Sequence, residues 1–256
     1  NMVHERVTVS SNDEVADGLY VFRFRSETIA GATLPGQFVN IRTADGFVPF
    51  LRRPFSVSRV DRGVVEILFN VVGRGTAVLA SKRPGDELDV LGPLGKPFGF
   101  RGDFEHALIV AGGLGVAPFP ILTDWLQRDE KQVESFIGAR SAYQLYRMQL
   151  KNLHVATDDG SAGFQGTVVQ LLEQYLRSHT LPKPKIFGCG PTNMMKALSG
   201  LARNMNIDCE LSLEGDMACG IGLCQGCPVE TVGGTKKYAL VCKDGPAFKS
   251  HDIVFA

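Results

Sequence analysis

No apolar run in this sequence approaches the ~20 residues that a membrane-spanning helix requires, and Asn1-Met2-Val3-His4-Glu5 lacks the basic-then-apolar order of a signal peptide. A cytoplasmic protein without a membrane segment is the expectation. Charge excess is lacking too: Lys+Arg and Asp+Glu number 27 each, so no overall field draws nucleic acid. Histidine is scarce, with five residues at 4, 106, 154, 179 and 251, too scattered for a metal-binding pair or a Ser-His-Asp order. Internal repeats and low-complexity segments are absent.

What is present fits about two domains in 256 residues, with 44% hydrophobic and 21% charged residues, an ordinary globular composition. From about residue 5 to 95 the chain reads as short strands: Val7–Val9, Leu19–Phe24, Phe38–Ile41, Phe55–Ser58 and Val64–Phe69. Gly, Pro and Asp punctuate them, as at Leu34-Pro35-Gly36, Arg83–Asp86 and Leu91–Gly95, which predicts a small antiparallel β-barrel over residues 1–100. Strand candidates at 107–111, 133–138, 153–156 and 185–188 then alternate with helix candidates at 168–178 and 192–204. That alternation predicts a parallel α/β domain over residues 101–206. Residues 207–256 form a Gly- and Cys-rich C-terminal lobe.

Five of the six cysteines fall between 209 and 242. Cys219, Cys224, Cys227 and Cys242 follow C-x4-C-x2-C with a fourth Cys beyond, the spacing of plant-type [2Fe-2S] ferredoxins. Gly220, Gly222 and Gly226 permit the backbone angles of a loop that wraps an inorganic core. A structural zinc site is the other reading, but zinc frameworks favour separated C-x2-C knuckles. Cys209 lies outside the pattern and reads as buried and structural.

Arg53-Pro54-Phe55-Ser56 falls on a barrel strand. An Arg can neutralise a diphosphate, Phe55 can cover an isoalloxazine or serve as core, and Ser56 can hydrogen-bond the ring. Strand alternation would put 53 and 55 on one face, 54 and 56 on the other. Pro35-Gly36-Gln37-Phe38 precedes this stretch, and Gly73-Arg74-Gly75-Thr76 follows it with backbone N–H groups for a diphosphate. Together they point to FAD.

Gly112-Gly113-Leu114-Gly115-Val116-Ala117-Pro118 follows an apolar strand and is expected to open a helix, either one whose free N–H groups can hold a pyrophosphate or a generic strand-to-helix turn. It is not G-x-G-x-x-G, because Pro118 stands at the third glycine position. In Gly188-Cys189-Gly190-Pro191, Gly188 and Gly190 would let a planar ring approach, with Cys189 beside a nicotinamide. Asp158, at a strand end, can accept from a ribose hydroxyl, or it and Asp159 form a solvated turn.

Arg-Pro-Phe-Ser, Gly-Cys-Gly-Pro and the cysteine run, in this order, resemble the ferredoxin-reductase superfamily and, within it, the electron-transfer subunits of class B dihydroorotate dehydrogenases. The resemblance spans nearly the whole chain and is most specific over Met217–Cys227 and Val241–Phe248. It implies FAD held by Arg53, Pro54, Phe55 and Ser56, by Leu68, Phe69 and Asn70, and by Gly75 and Thr76. Cys219, Cys224, Cys227 and Cys242 would ligate a [2Fe-2S] cluster, and NADH would be the pyridine nucleotide. Phe55 replaces a residue more often aliphatic. The resemblance further implies an FMN-containing catalytic subunit oxidising dihydroorotate in pyrimidine biosynthesis, in a heterotetramer of two of each. Other readings are the small subunit of an NADH-dependent ferredoxin:NADP reductase or of a sulfide dehydrogenase or hydrogenase, and a non-catalytic zinc scaffold. An exposed apolar rim at Ala218, Ile221, Leu223 and Pro228 is expected around the cluster loop, the other reading being that they pack inward.

Overall fold

The computed structural model describes residues 2–46, 48–233 and 237–255. Six antiparallel strands come first: β1 (Val3–Ala16), β2 (Leu19–Arg25), β3 (Phe38–Arg42), β4 (Arg53–Asp61), β5 (Val64–Asn70) and β6 (Glu87–Leu94). They close a barrel in the order β1-β2-β5-β4-β3-β6. Period-2 alternation builds its core: Phe22, Phe24, Val39, Ile41, Val65, Ile67, Leu88 and Val90 all point inward and are buried. Helices α1 (Glu27–Ala32) and α2 (Arg74–Ala80) lie in its connections.

β1 extends well beyond the predicted Val7–Val9, and β6 forms where no strand is predicted. Leu88 and Val90 do alternate with charged residues, but Gly92 and Pro93 read as a strand stop. The β3–β6 ladder shifts register between Phe38 and Asn40, beside Pro93, so the missing N–H falls where pairing is already irregular.

A second sheet follows, in the order β10-β9-β8-β7-β11-β12-β15. Its strands β7 (His106–Gly112), β8 (Gln132–Ala139), β9 (Leu153–Thr157), β10 (Phe164–Gln165), β11 (Pro184–Cys189) and β12 (Asp208–Ser212) run parallel. Between β12 and the C-terminal strand come a hairpin, β13 (Pro228–Glu230) and β14 (Tyr238–Leu240), and a helical turn, α6 (Val241–Asp244). β15 (Ala247–Lys249) then adds antiparallel to β12, so the sheet draws on strands beyond residue 206.

Helix α3 (Phe119–Arg128) covers one face, and α4 (Val168–Ser178) and α5 (Thr192–Met205) cover the other. From Ala107 to Ala111 β7 is apolar because it is buried from both sides: Leu108 and Val110 face α4 and α5, while Ala107, Ile109 and Ala111 face α3 and the barrel. α4 starts where predicted because Thr167 and Gln170 form a reciprocal cap.

The linker between barrel and sheet is latched by a buried ion pair. Lys185 Nζ donates to Glu210 Oε1 (2.7 Å) and to Gly99 O (2.9 Å), while Gly99 N donates to Glu210 Oε2 (2.7 Å). Among the described residues no helix is long and apolar enough to cross a membrane.

Candidate functional site

Where barrel meets sheet lies a cavity of about 300 Å³. Arg53, Pro54, Phe55 and Ser56 of β4, Leu68, Phe69 and Asn70 at the end of β5, and Thr76 of α2 all line it. Alternation does not divide 53–56 as expected, since the strand opens along the cavity wall and all four residues border it. Phe55 borders the cavity and also packs on Phe69 in the barrel core, ring centroids 5.6 Å apart.

Arg53 is anchored through Nη1 to the carbonyl oxygens of Leu51 (2.7 Å) and Arg52 (3.2 Å), leaving its remaining donors for an anion. Gly75 does not border the cavity. A Cβ there would lie 2.8 Å from Arg53 Nε, so this glycine makes room for the guanidinium. The Thr76 hydroxyl oxygen accepts from Val72 N (2.9 Å) and Gly73 N (3.1 Å), which fixes the turn into α2. The first bond of that helix is Ala77 N to Gly73 O, so the amides of residues 74–76 precede the ladder.

A second cavity, of about 570 Å³, opens at the carboxyl ends of β7, β8 and β9, where open α/β sheets bind ligands. Gly113, Asp158 and Pro191 border it, as do Arg140 and Met194, which the sequence reading passed over. Asn70 and Leu114 border both cavities, so the two meet there. The buried Oδ1 of Asn70 has no partner among the described residues. An orphaned acceptor beside a mostly apolar cavity with a guanidinium at its edge fits a flavin dinucleotide.

Several predicted residues sit elsewhere than expected. The glycine run does not open a helix: Gly113–Val116 form one 3-10 turn, Pro118 has no N–H to continue it, and α3 starts afresh at Phe119. Gly115 is buried against the β11–α5 turn, where a Cβ would lie 2.3 Å from Cys189 O. Gly188 faces Leu198 and Leu211 in the core, leaving room for side chains rather than for a ring. Gly190, at φ +158, brings that same turn against Gly112. Cys189 borders the first cavity, not the second, and burial, reinforced by Glu214, pushes its thiol well above the ordinary range and keeps it neutral.

Asp158 and Asp159 are placed differently. The Asp159 carboxylate accepts from Ser161 N (2.9 Å) and Oγ (2.5 Å), bonds that lower its pKa, and so serves as a loop staple. Asp158 is left at the cavity.

The cysteine run leaves the first cavity directly, since Leu213, Glu214 and Met217 line it just before Cys219. Gly220 (φ +72) and Gly222 (φ +84) turn the loop. Cys219 Sγ accepts from Cys224 N (3.4 Å) and Ile221 N (3.5 Å); burial raises its pKa, but these amides outweigh it and bring the thiol to about 6. Cys227 Sγ accepts from Cys242 N (3.4 Å), and burial with the Cys227 neighbour lifts Cys242 to about 12.

The thiols thus fall into two pairs, 219 with 224 and 227 with 242. Among the described residues no three His, Cys, Asp or Glu side chains converge as a single-ion site. Four soft donors in two pairs, with backbone N–H groups aimed at sulfur, fit a two-iron core better than one tetrahedral zinc. Cys209 is buried on β12 with a thiol raised to about 12, a core residue. Of the expected apolar rim, Leu223 (77% exposed) and Pro228 are exposed, whereas Ala218 and Ile221 are half-buried.

A barrel cavity opening onto a nucleotide-type sheet cavity, with a four-thiol loop leading off the first, defines a reductase of the ferredoxin-reductase fold carrying an iron-sulfur lobe. Residues 214–254 match the family model for the iron-sulfur cluster binding domain of dihydroorotate dehydrogenase B. The chain is 36% identical over 250 residues to the dihydroorotate dehydrogenase B (NAD(+)), electron transfer subunit, of Desulforamulus reducens, covering 94% of each. It is 38% identical over 260 residues to the like-named protein of Geobacillus thermodenitrificans, covering 98% of each. A solved NADH-dependent reduced ferredoxin-NADP oxidoreductase chain is similar with TM-score 0.85 and 28% identity, covering 97% of this chain and 90% of that one. A Neisseria gonorrhoeae ferredoxin NADP+ reductase shares the fold, with TM-score 0.67 and 17% identity, over 79% of this chain and 91% of that one. The chain belongs to the family of dihydroorotate dehydrogenase B electron transfer subunits.

Proposed function

We propose that this chain carries electrons between NAD(H) and an FMN-containing catalytic subunit that oxidises dihydroorotate to orotate, in an assembly of two of each. FAD in the first cavity would exchange a hydride with the nucleotide, and a [2Fe-2S] cluster on Cys219, Cys224, Cys227 and Cys242 would carry electrons singly. The observation that carries this reading is continuity: the two cavities meet at Asn70 and Leu114, and the wall of the first includes Met217, two residues before Cys219.

The chain's own residues supply binding and exclusion. Arg53 offsets diphosphate charge, with Gly75 giving it room and Thr76 fixing the turn beneath. Pro54 and Phe55 supply apolar wall, Ser56 offers its hydroxyl to the ring, and Asn70 presents its free acceptor where the two ligands meet. Asp158 accepts from a ribose hydroxyl, while Gly113 and Pro191 shape the nucleotide path. Cys189, small and neutral, closes the cavity floor without competing as a nucleophile.

An absorption spectrum of anaerobically purified protein before and after NADH, with iron and zinc analysed on the same sample, tests the reading. Flavin bands and a broad iron-sulfur shoulder that both bleach are the expected result; a colourless, zinc-loaded protein overturns it. The likeness to the NADH-dependent reduced ferredoxin-NADP oxidoreductase chain supports a second reading, with the same cofactors but another partner. Co-purification with an FMN protein active on dihydroorotate separates the two.

A further inference from the structure

Alternation on β3 sends Val39 and Ile41 into the barrel core and Asn40 outward, where a polar side chain would ordinarily meet water. Asn40 is instead completely buried, because the cluster loop lies over it. Its Nδ2 donates to Cys219 O at 3.2 Å, and a Cβ on Gly220 would come within 2.5 Å of that same nitrogen. The Cys219–Gly220 peptide therefore rests directly on the carboxamide.

The bond is costly for what it returns in stability. Asn40 Oδ1 is buried with no partner among the described residues, so one neutral hydrogen bond is set against a desolvated amide, and an apolar side chain of equal size would hold the barrel more cheaply. Turning the amide over offers no relief, since Oδ1 would then face a carbonyl oxygen. The strand itself is firmly placed: Asn40 pairs with Pro54 of the cavity-lining strand, and Arg52 donates to Asn40 O (3.3 Å) and to Asp89 Oδ1 (2.7 Å).

We infer that Asn40 is a positioning residue which holds the first cysteine of the cluster loop at a fixed separation from the flavin strand. It touches neither the cavity nor a sulfur and acts through the Cys219 main chain. This inference rests on the electron-carrying function proposed above. A polar residue on the outer face of a barrel strand thereby sets the geometry between two redox sites that belong to different parts of the chain.

The test uses the full chain loaded with FAD and iron. Flavin bleaching and cluster bleaching after anaerobic mixing with NADH are followed separately, with the EPR signature of the reduced cluster recorded. Asn40→Leu is expected to keep FAD, iron and the flavin phase, to slow the cluster phase by about tenfold or more, and to shift the EPR signature. Asn40→Ala, which removes the carboxamide and leaves the loop sequence intact, is expected to give the same split, and it decides the matter alone should Asn40→Leu fail to fold. Variants with both phases and the EPR signature unchanged overturn the inference, as does equal slowing of both phases, which would mark general damage to the barrel. If the unaltered protein bleaches no cluster with NADH, the electron-carrying function itself fails, whatever the variants do.

Discussion

Arg53 to Ser56 are held in the ladder to β3 and Leu68 to Asn70 in the ladder to β2, whereas Cys219 to Cys227 lie on a stretch with neither helix nor strand. In the barrel, register and core packing fix each side chain before any ligand arrives. On the loop, position rests on glycines at positive φ, on amides bonded to sulfur, on Val241 N donating to Cys227 O and on the Asn40 carboxamide. The cavity is thus preformed by regular structure, while the loop depends on what its thiols bind.

The largest expected effect breaks the weaker side. Cys227→Ser removes a buried thiol of the proposed cluster site and should abolish iron content and the iron-sulfur shoulder while FAD stays bound, as metal analysis and absorption would record. Next, Lys185→Met strikes the latch between barrel and sheet. It leaves Glu210 buried without its ammonium and should cost about 3–5 kcal/mol in denaturant unfolding, with Lys185→Met/Glu210→Leu recovering part of the loss.

Arg53→Ala probes the preformed side more gently. FAD should bind about tenfold to a hundredfold more weakly by fluorescence titration, the loss of one charged hydrogen-bonding partner, with iron content unchanged. Smallest is Asp158→Asn, for which we expect the KM for NADH to rise about fivefold without loss of FAD or iron. A cluster lost along with FAD in Arg53→Ala would erase the distinction between the two regions.

The same contrast governs how much the sequence disclosed. The candidate cluster cysteines stand out in the sequence because their chemistry resides in spacing within one short segment, and Arg53–Ser56 because the motif occupies one strand. Asn40 and Arg140 carried no local signal: one looked like an ordinary strand position and the other a loop residue, and only folding brings each to its site. Glycines misled for a related reason. Gly115 and Gly188 are small so that protein can pack against them, and a sequence does not distinguish room for a ligand from room for a leucine. β6 was missed because Gly92 and Pro93 obscured the alternation of Leu88 and Val90.

Ser212 of β12 pairs with Ala247 of β15, so the chain leaves the sheet and returns to it at neighbouring positions. In topological terms residues 213–246 are an insertion at a hairpin, and closing that gap costs little however long the insert becomes. A chain with a short turn in their place keeps its sheet order but loses the cluster and one wall of the flavin cavity. The same architecture can therefore acquire or shed a single-electron outlet by a change at one connection.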